Sequence, residues 1–237
     1  MTDEATLRLF LAAGRRMLSR EGAGSSTFGL LAARNAGNSL VLCTPSGAAE
    51  DVRPQDIMTL DPDTDAGPET LPDRVSPAAA IALAILRRRP DTTAVVHTHS
   101  RALSVLSTVR EPVGMFNEMS TLFFGEQVVA EDDGDRSPAA CDLLAEALGD
   151  RRVLILPGHG MFAAAATLPD VVIDGIALEK AAAWDLAARS YGGEPIVQRH
   201  IDQTKPLYDQ YFRRNMWAAN LRRLQRDEPE LFGPPGA

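Results

Sequence analysis

Hydrophobic positions near the start of the chain recur at helical spacing. Leu7, Leu9, Phe10, Leu11, Met17 and Leu18 follow Thr2 or Asp3 as a helix cap, and Gly22 closes the segment. The small, polar residues from Gly22 to Thr27 predict a loop. A strand is predicted from Ser39 to Cys43, ended by the turn Thr44-Pro45-Ser46-Gly47. Asp61 to Pro77, rich in Pro, Asp and Gly, reads as a long loop. The apolar run Ala78 to Arg88 predicts a helix stopped before Pro90. A strand follows at Ala94 to His97, a helix at Ser100 to Val109 and a strand at Gln127 to Ala130. Asp132 to Ser137 is a charged loop. Pro138 opens a helix to Leu148, and Val153 to Leu156 is an apolar strand. A long helix is predicted from Pro169 to Tyr191, ended by Gly192-Gly193. In the remaining stretch, Lys205 to Arg226 is amphipathic and helical, and Pro229 to Ala237 is Pro/Gly-rich and expected to fray. Strands alternating with helices predict an α/β layered domain.

Length allows one large domain or two small ones: the chain has 237 residues. The expected division is a main domain over residues 1–195 and a helical tail over 196–237. A net charge of −8 argues against a phosphate-backbone binder, so no nucleic-acid partner is expected. The two cysteines, Cys43 and Cys141, are too few for a disulfide framework and read as packed thiols. The opening MTDEATLRLF lacks a basic segment followed by an apolar run, so no secretory signal is expected. The longest apolar run, Ala78 to Leu86, is far short of the roughly 20 residues that span a bilayer. A soluble cytoplasmic protein without a membrane partner is the expectation.

The chemistry concentrates in the histidines, of which there are four. His97 and His99 lie in AVVHTHS, where residues two apart on an extended strand point to the same side. His159 lies in LILPGHGM, where an apolar strand runs into glycines that permit a sharp turn. Three neutral imidazoles leave coordination positions open, the pattern of a catalytic metal. His200 has no accompanying motif. Trp184 and Trp217 read as core or interface anchors, and the tail arginines Arg213, Arg214, Arg222, Arg223 and Arg226 as a salt-bridged helix face.

Four stretches stand in a fixed order. They are CTPSG (Cys43 to Gly47), DVRPQDIMTLD (Asp51 to Asp61), RRPDTTAVVHTHS (Arg88 to Ser100) and LPGHGMFAAAATLPDVV (Leu156 to Val172). In residues, order and spacing they resemble the class II aldolase/adducin family, which includes fuculose-phosphate aldolases and ribulose-phosphate 4-epimerases. The resemblance covers about residues 5 to 195. It implies a three-layer α/β/α sandwich with a mixed central sheet, and a homotetramer with active sites at subunit interfaces. It also implies a divalent metal, zinc first, with manganese, iron or cobalt as alternatives. His97, His99 and His159 fall on the family's three metal ligands. Thr44, Ser46 and Gly47 fall on the turn that lines the substrate-anion pocket of the sugar-phosphate members, and Ser76 on a further substrate-binding position. A tyrosine near the family's C-terminus reaches a neighbouring subunit's site as a proton donor, a role open to Tyr208 or Tyr211.

Two departures from the family matter. Its Ser-Ser-Glu stretch, whose Glu is the acid/base, falls on Ser76-Pro77-Ala78. A methyl group cannot abstract a proton. Its Gly-Asn-x-Ser loop, whose Asn helps to hold a phosphate, falls on Gly29-Leu30-Leu31-Ala32. Decarboxylation survives the loss of the base, because departing CO₂ leaves its electrons behind and a metal stabilises the resulting enolate. The expected activity is therefore a metal-dependent lyase that cleaves a C–C bond of a small, non-phosphorylated hydroxy or keto acid, with decarboxylation ahead of aldol cleavage. Glu118, among Phe116, Met119, Leu122 and Phe123, is the candidate replacement acid. The alternatives are an aldolase or epimerase acting on a sugar phosphate and, from another class, a non-catalytic adducin-like assembly domain. Adducins lack the metal histidines, which speaks against that second class.

Overall fold

The computed structural model describes residues 3–24, 27–64 and 66–233. Thr2, Ser25, Ser26, Asp65 and Pro234 to Ala237, parts of the cap, loop and tail read from the sequence, lie outside the described residues. Among the described residues seven strands form one mixed sheet in the order β3-β2-β1-β4-β7-β6-β5. They are β1 (Leu30–Arg34), β2 (Val41–Cys43), β3 (Met58–Leu60), β4 (Ala94–Thr98), β5 (Gln127–Val129), β6 (Val153–Leu156) and β7 (Gly160–Ala165). Only β5 and β6 pair in parallel; the other pairs are antiparallel.

Among the described residues seven α-helices accompany the sheet: α1 (Glu4–Arg20), α2 (Ala79–Arg88), α3 (Arg101–Ser107), α4 (Pro138–Leu148), α5 (Leu168–Ser190), α6 (Gln198–Leu207) and α7 (Arg213–Asp227). The core divides into two clusters, one on each face of the sheet. Leu11, Leu18, Leu103, Val172 and Ile176 from α1, α3 and α5 pack with Leu31 and Val96. Ile81, Leu83 and Ile85 of α2 and Leu144 and Leu148 of α4 pack with Leu30, Val95 and Phe162. The alternation of Val95 and Val96 between the clusters is the two-residue period of a strand covered on both faces. The result is an α/β/α sandwich, the fold class expected.

The helix caps follow local chemistry. Asp3 accepts the Thr6 amide at 3.0 Å at the start of α1, and Thr167 accepts the Asp170 amide at 3.2 Å at the start of α5. Three strands, β1, β3 and β7, have no counterpart among the predicted elements. β1 reads LLAAR and β7 reads GMFAAA. Alanine and leucine favour helix, and these segments are strands because both of their faces are buried. β3 is a three-residue edge strand, too short to carry a pattern.

The tail is more ordered than its composition suggests. Helix α6 holds Pro206 in its last turn, and the chain passes through a π-helical turn over Tyr208–Phe212 into α7. Proline removes an amide donor and crowds the preceding turn, so a widened turn relieves the clash. Trp217 packs edge-on to Phe10 of α1 at 5.7 Å, and Leu224 and Leu231 complete that core. Arg213 donates to Asp174 of α5 at 2.7 Å, and Arg223 bonds Glu21 at 2.7 Å. Pro229–Phe232 forms a 3₁₀ turn with Leu231 buried, so this part of the segment expected to fray is docked. Trp184 is 48% exposed and is not a core residue. Both cysteines are free and buried.

The β4–β7 pair carries the tightest steric constraint near the histidines. A Cβ on Gly160 would stand 2.1 Å from the Thr98 carbonyl oxygen. Gly160→Ala is expected to force the strands apart at a cost of about 1–3 kcal/mol. The melting temperature should fall by roughly 2–4 °C for each kcal/mol. An unchanged melting curve would show that the close approach is not needed.

Candidate metal centre

Strand β4 lies between β1 and β7, and His97 pairs with Leu30 on one side and Phe162 on the other. The His97 ring stacks on Phe162 with centroids 4.2 Å apart. Its Nδ1 bonds the Met161 carbonyl at 2.9 Å. A carbonyl only accepts, so Nδ1 carries the proton and Nε2 presents a lone pair. The ring is buried, and burial, aided by the neighbouring His99 and His159, holds its pKa well below the ordinary histidine value.

The other two imidazoles converge on the same point. His99 Nε2 is 2.7 Å from His97 Nε2 and 3.0 Å from His159 Nε2. Burial first, then His159, lowers the His99 pKa to about 4, so it too is neutral at pH 7. Phe28 stacks on the outer face of His99 at 5.7 Å and 13°. His159 Nδ1 donates to Asp132 Oδ2 at 2.6 Å. Asp132 in turn receives both Arg136 Nη1 and Nη2, at 2.6 and 2.8 Å. Although burial works to raise it, bonds from Arg136, the Gly134 amide and His159 hold the Asp132 carboxyl at about 2. A carboxylate on one ring nitrogen leaves the opposite Nε2 as the free donor atom.

Helix α3 braces both histidine segments. Glu179 of α5 caps it, accepting the Ala102 and Leu103 amides at 2.8 and 2.9 Å. Ser107 Oγ accepts the Gly158 amide at 3.0 Å, and Ser104 Oγ donates to the His159 carbonyl at 3.2 Å. The donor set therefore fits a divalent transition ion: three imidazoles, two with the remote nitrogen already committed, and all three ligand atoms within 4.8 Å of one another.

The other expected site residues make local bonds. Thr44 is buried, and its Oγ1 accepts the Leu31 amide at 3.0 Å. The Ser46 amide donates to Arg74 O at 2.7 Å and the Gly47 amide to Thr27 O at 3.3 Å. The turn's amides thus hold the chain together, and they are not presented as an anion cradle. Ser76 Oγ accepts the Ala78 amide at 3.3 Å, and Ala78, at the base position, is buried at the start of α2. Leu30, at the phosphate-asparagine position, is core filling beneath α2. Glu118 is half exposed and bonds His200 Nε2 at 2.8 Å. It also raises the pKa of Tyr208, whose partial burial acts in the same direction. Tyr211 is 54% exposed. In this chain the bonds of Glu118 and the ring contact of Tyr208 with Phe212 lie outside the histidine cluster.

Asp132 and Arg136 went unseen in the sequence. Both stand in the charged loop, and nothing in their spacing marks which acid meets a histidine 27 residues away. Asp132→Asn is expected to weaken metal affinity about 10- to 100-fold, as loss of an outer-sphere carboxylate does. Chelator competition on the zinc-loaded protein measures this, and equal affinity in the two proteins would remove Asp132 from the metal site.

Comparison with known proteins agrees with this geometry. The profile of the Class II Aldolase and Adducin N-terminal domain matches residues 8–186. The chain is 32% identical over 178 residues to a 5-methylthioribulose-1-phosphate/5-deoxyribulose-1-phosphate aldolase of Rhodospirillum rubrum, covering 74% of this chain and 78% of that protein. It is 31% identical over 115 residues to a 3,4-dihydroxyphthalate decarboxylase of Arthrobacter keyseri, 46% of each chain. The L-fuculose 1-phosphate aldolase of Glaciozyma antarctica superposes with a TM-score of 0.79 at 23% identity, over 95% of this chain and 92% of that one. The matched segment carries all three converging histidines, and the chain belongs to the class II aldolase/adducin family.

Proposed function

We propose that the protein is a divalent-metal-dependent lyase that removes CO₂ from a small hydroxy or keto acid. The observation that carries this reading is the triad of converging Nε2 atoms with a buried alanine where the family's acid/base would stand. The ion, zinc by preference, supplies Lewis-acid stabilisation for the electrons that C–C cleavage leaves on the substrate. The protein keeps His97 and His99 neutral and holds the rings of the triad in place. Met161 and Asp132 hold two of them by the remote nitrogen, and Phe162 and Phe28 cover two ring faces. Without a carboxylate to abstract a hydroxyl proton, retro-aldol chemistry lacks its first step, whereas decarboxylation needs only a proton donor afterwards. The decarboxylase of Arthrobacter keyseri supports this choice of reaction.

The donor is assigned to the cluster of Glu118, Tyr208 and His200, with Tyr211 beside it on the same π-helical turn. Tyr208 and Tyr211 border an apolar surface cavity with Leu207, Phe212 and Met216, and in a homotetramer they would serve a neighbouring subunit's site. This assignment goes with a cytoplasmic homotetramer, and with Ser46 and Ser76 as the substrate-facing hydroxyls. Among the described residues no helix is long and apolar enough to cross a membrane.

A second reading, an aldolase for a phosphorylated ketose, is supported by the broader match to the Rhodospirillum rubrum protein. The two readings separate by assay. Metal-loaded protein should release CO₂ from hydroxy or hydroxyaromatic acids, and His159→Ala or chelation should abolish the release. Cleavage of 5-deoxyribulose 1-phosphate without CO₂ release from any acid would select the aldolase. Glu118→Gln and Tyr208→Phe should each lower kcat about 10- to 100-fold with metal content unchanged, as removal of a general acid does. Full activity in both variants would place the proton donor elsewhere.

A further inference from the structure

Among the described residues no carboxylate bonds Arg15, and Glu50 acts on it only through its charge. The Arg15 side chain is wholly buried in α1, at 0% exposure. Its Nη2 donates to the Phe28 carbonyl at 2.7 Å. Nε and Nη1 have no hydrogen-bond partner. Burial brings its pKa down only to about 10, so it is a cation at neutral pH. Cys43 beside it is held neutral, its thiol pushed up to about 12 by burial. A buried guanidinium normally sits against a carboxylate. Here, among the described residues, none bonds it.

Its position explains why such a group would be kept. A Cβ built on Gly29 would lie 3.3 Å from Arg15 Nη1 and 2.6 Å from the His97 carbonyl oxygen. One glycine thus separates the guanidinium from the backbone of a metal-site histidine. Phe28, whose carbonyl takes the one bond Arg15 makes, stacks its ring on His99. Phe28 is 63% exposed, so the residue lying over both groups is itself weakly covered.

We infer that Arg15 is the specificity residue of this site and that it binds a retained oxyanion of the substrate, a carboxylate or a phosphate, beside the three histidines. The inference rests on the lyase reading given above. A carboxylate or phosphate is a stronger acceptor than the neutral Phe28 carbonyl and would displace it, freeing Nη2 to pair with Nη1 or Nε in a fork. The bound group must be one that survives the reaction. An arginine on the carboxyl group lost as CO₂ would stabilise the reactant more than the transition state and slow the step. The substrate therefore carries a second anionic group besides the one at the metal. This site also supplies what the Thr44 to Gly47 turn, with its amides spent on carbonyls, does not.

Isothermal titration of the metal-loaded full chain tests the inference with two probes at fixed ionic strength. Phthalate represents an aromatic carboxylate, and inorganic phosphate the phosphate ester. Wild-type protein should bind at least one, and the tighter probe names the group. Arg15→Met should weaken that binding about tenfold or more, the worth of a charge-assisted hydrogen bond. Arg15→Lys, which keeps the charge and loses the fork, should fall between the two and decides the matter if Arg15→Met does not fold. No binding of either probe to wild-type protein would overturn the inference. So would affinity within twofold of wild type in Arg15→Met or, where that variant does not fold, in Arg15→Lys. Failure of the lyase reading looks different: protein that holds no metal and releases no product, yet loses probe affinity in the Arg15 variants, keeps the anion site and discards the reaction.

Discussion

The register of β4 against β7 is the constraint from which the site follows. His97 opposite Phe162 and Thr98 opposite Met161 set the heights of two chain segments that are distant in sequence. That register puts the Met161 carbonyl under His97 Nδ1 and turns the Gly158-His159-Gly160 corner back over the strand end. A slip of one residue would reverse every side chain between the two core clusters and would send His97 to the other face. Because both faces of β4 are fully buried, such a slip is heavily penalised. Sheet packing therefore fixes His97, while the chain just beyond β4 and the loop that carries Asp132 set His99 and His159.

Electrostatics then decides what the cluster can hold. Three imidazoles whose Nε2 atoms approach within 3.0 Å of a neighbour cannot all be protonated. Burial and mutual repulsion keep His97 and His99 neutral. Asp132, itself held anionic by Arg136, orients the third without becoming a ligand. The outer carboxylate and the outer guanidinium neutralise each other. The ligand set thus contains no carboxylate, and any cation bound there would keep its charge for the substrate.

Much of this was legible in the sequence, and the rest was not for physical reasons. A His-x-His pair at the end of an apolar strand and a histidine between glycines depend only on local geometry, and each behaves as its pattern dictates. Strands β1 and β7 hid because Leu-Leu-Ala-Ala and Phe-Ala-Ala-Ala carry helical propensity, and only the sheet around them overrides it. Asp132 hid because Glu131, Asp133 and Asp135 look the same in one dimension. Arg15 left a trace. It falls on the helical stripe of Leu11 and Leu18, the face that packs into the core, whereas Arg16 falls off it. A charged residue on an apolar stripe is the kind of local inconsistency that marks a site.

Charge counting links the two unusual features of the centre. In the proposed reading a divalent ion and Arg15 together contribute three positive charges. In the family resemblance the acid/base carboxylate falls on Ala78, and Asp132 is already balanced by Arg136. Apart from Glu118, assigned above to proton donation, the proposed site names no acidic side chain to offset that charge. A neutral sugar or a simple aldehyde would leave a buried cation uncompensated in the complex, at a high desolvation cost. A dianion compensates it with one group on the ion and one on the guanidinium. Loss of the protein's own carboxylate and retention of a buried arginine are then one adaptation, in which the substrate supplies the negative charge that the chain gave up.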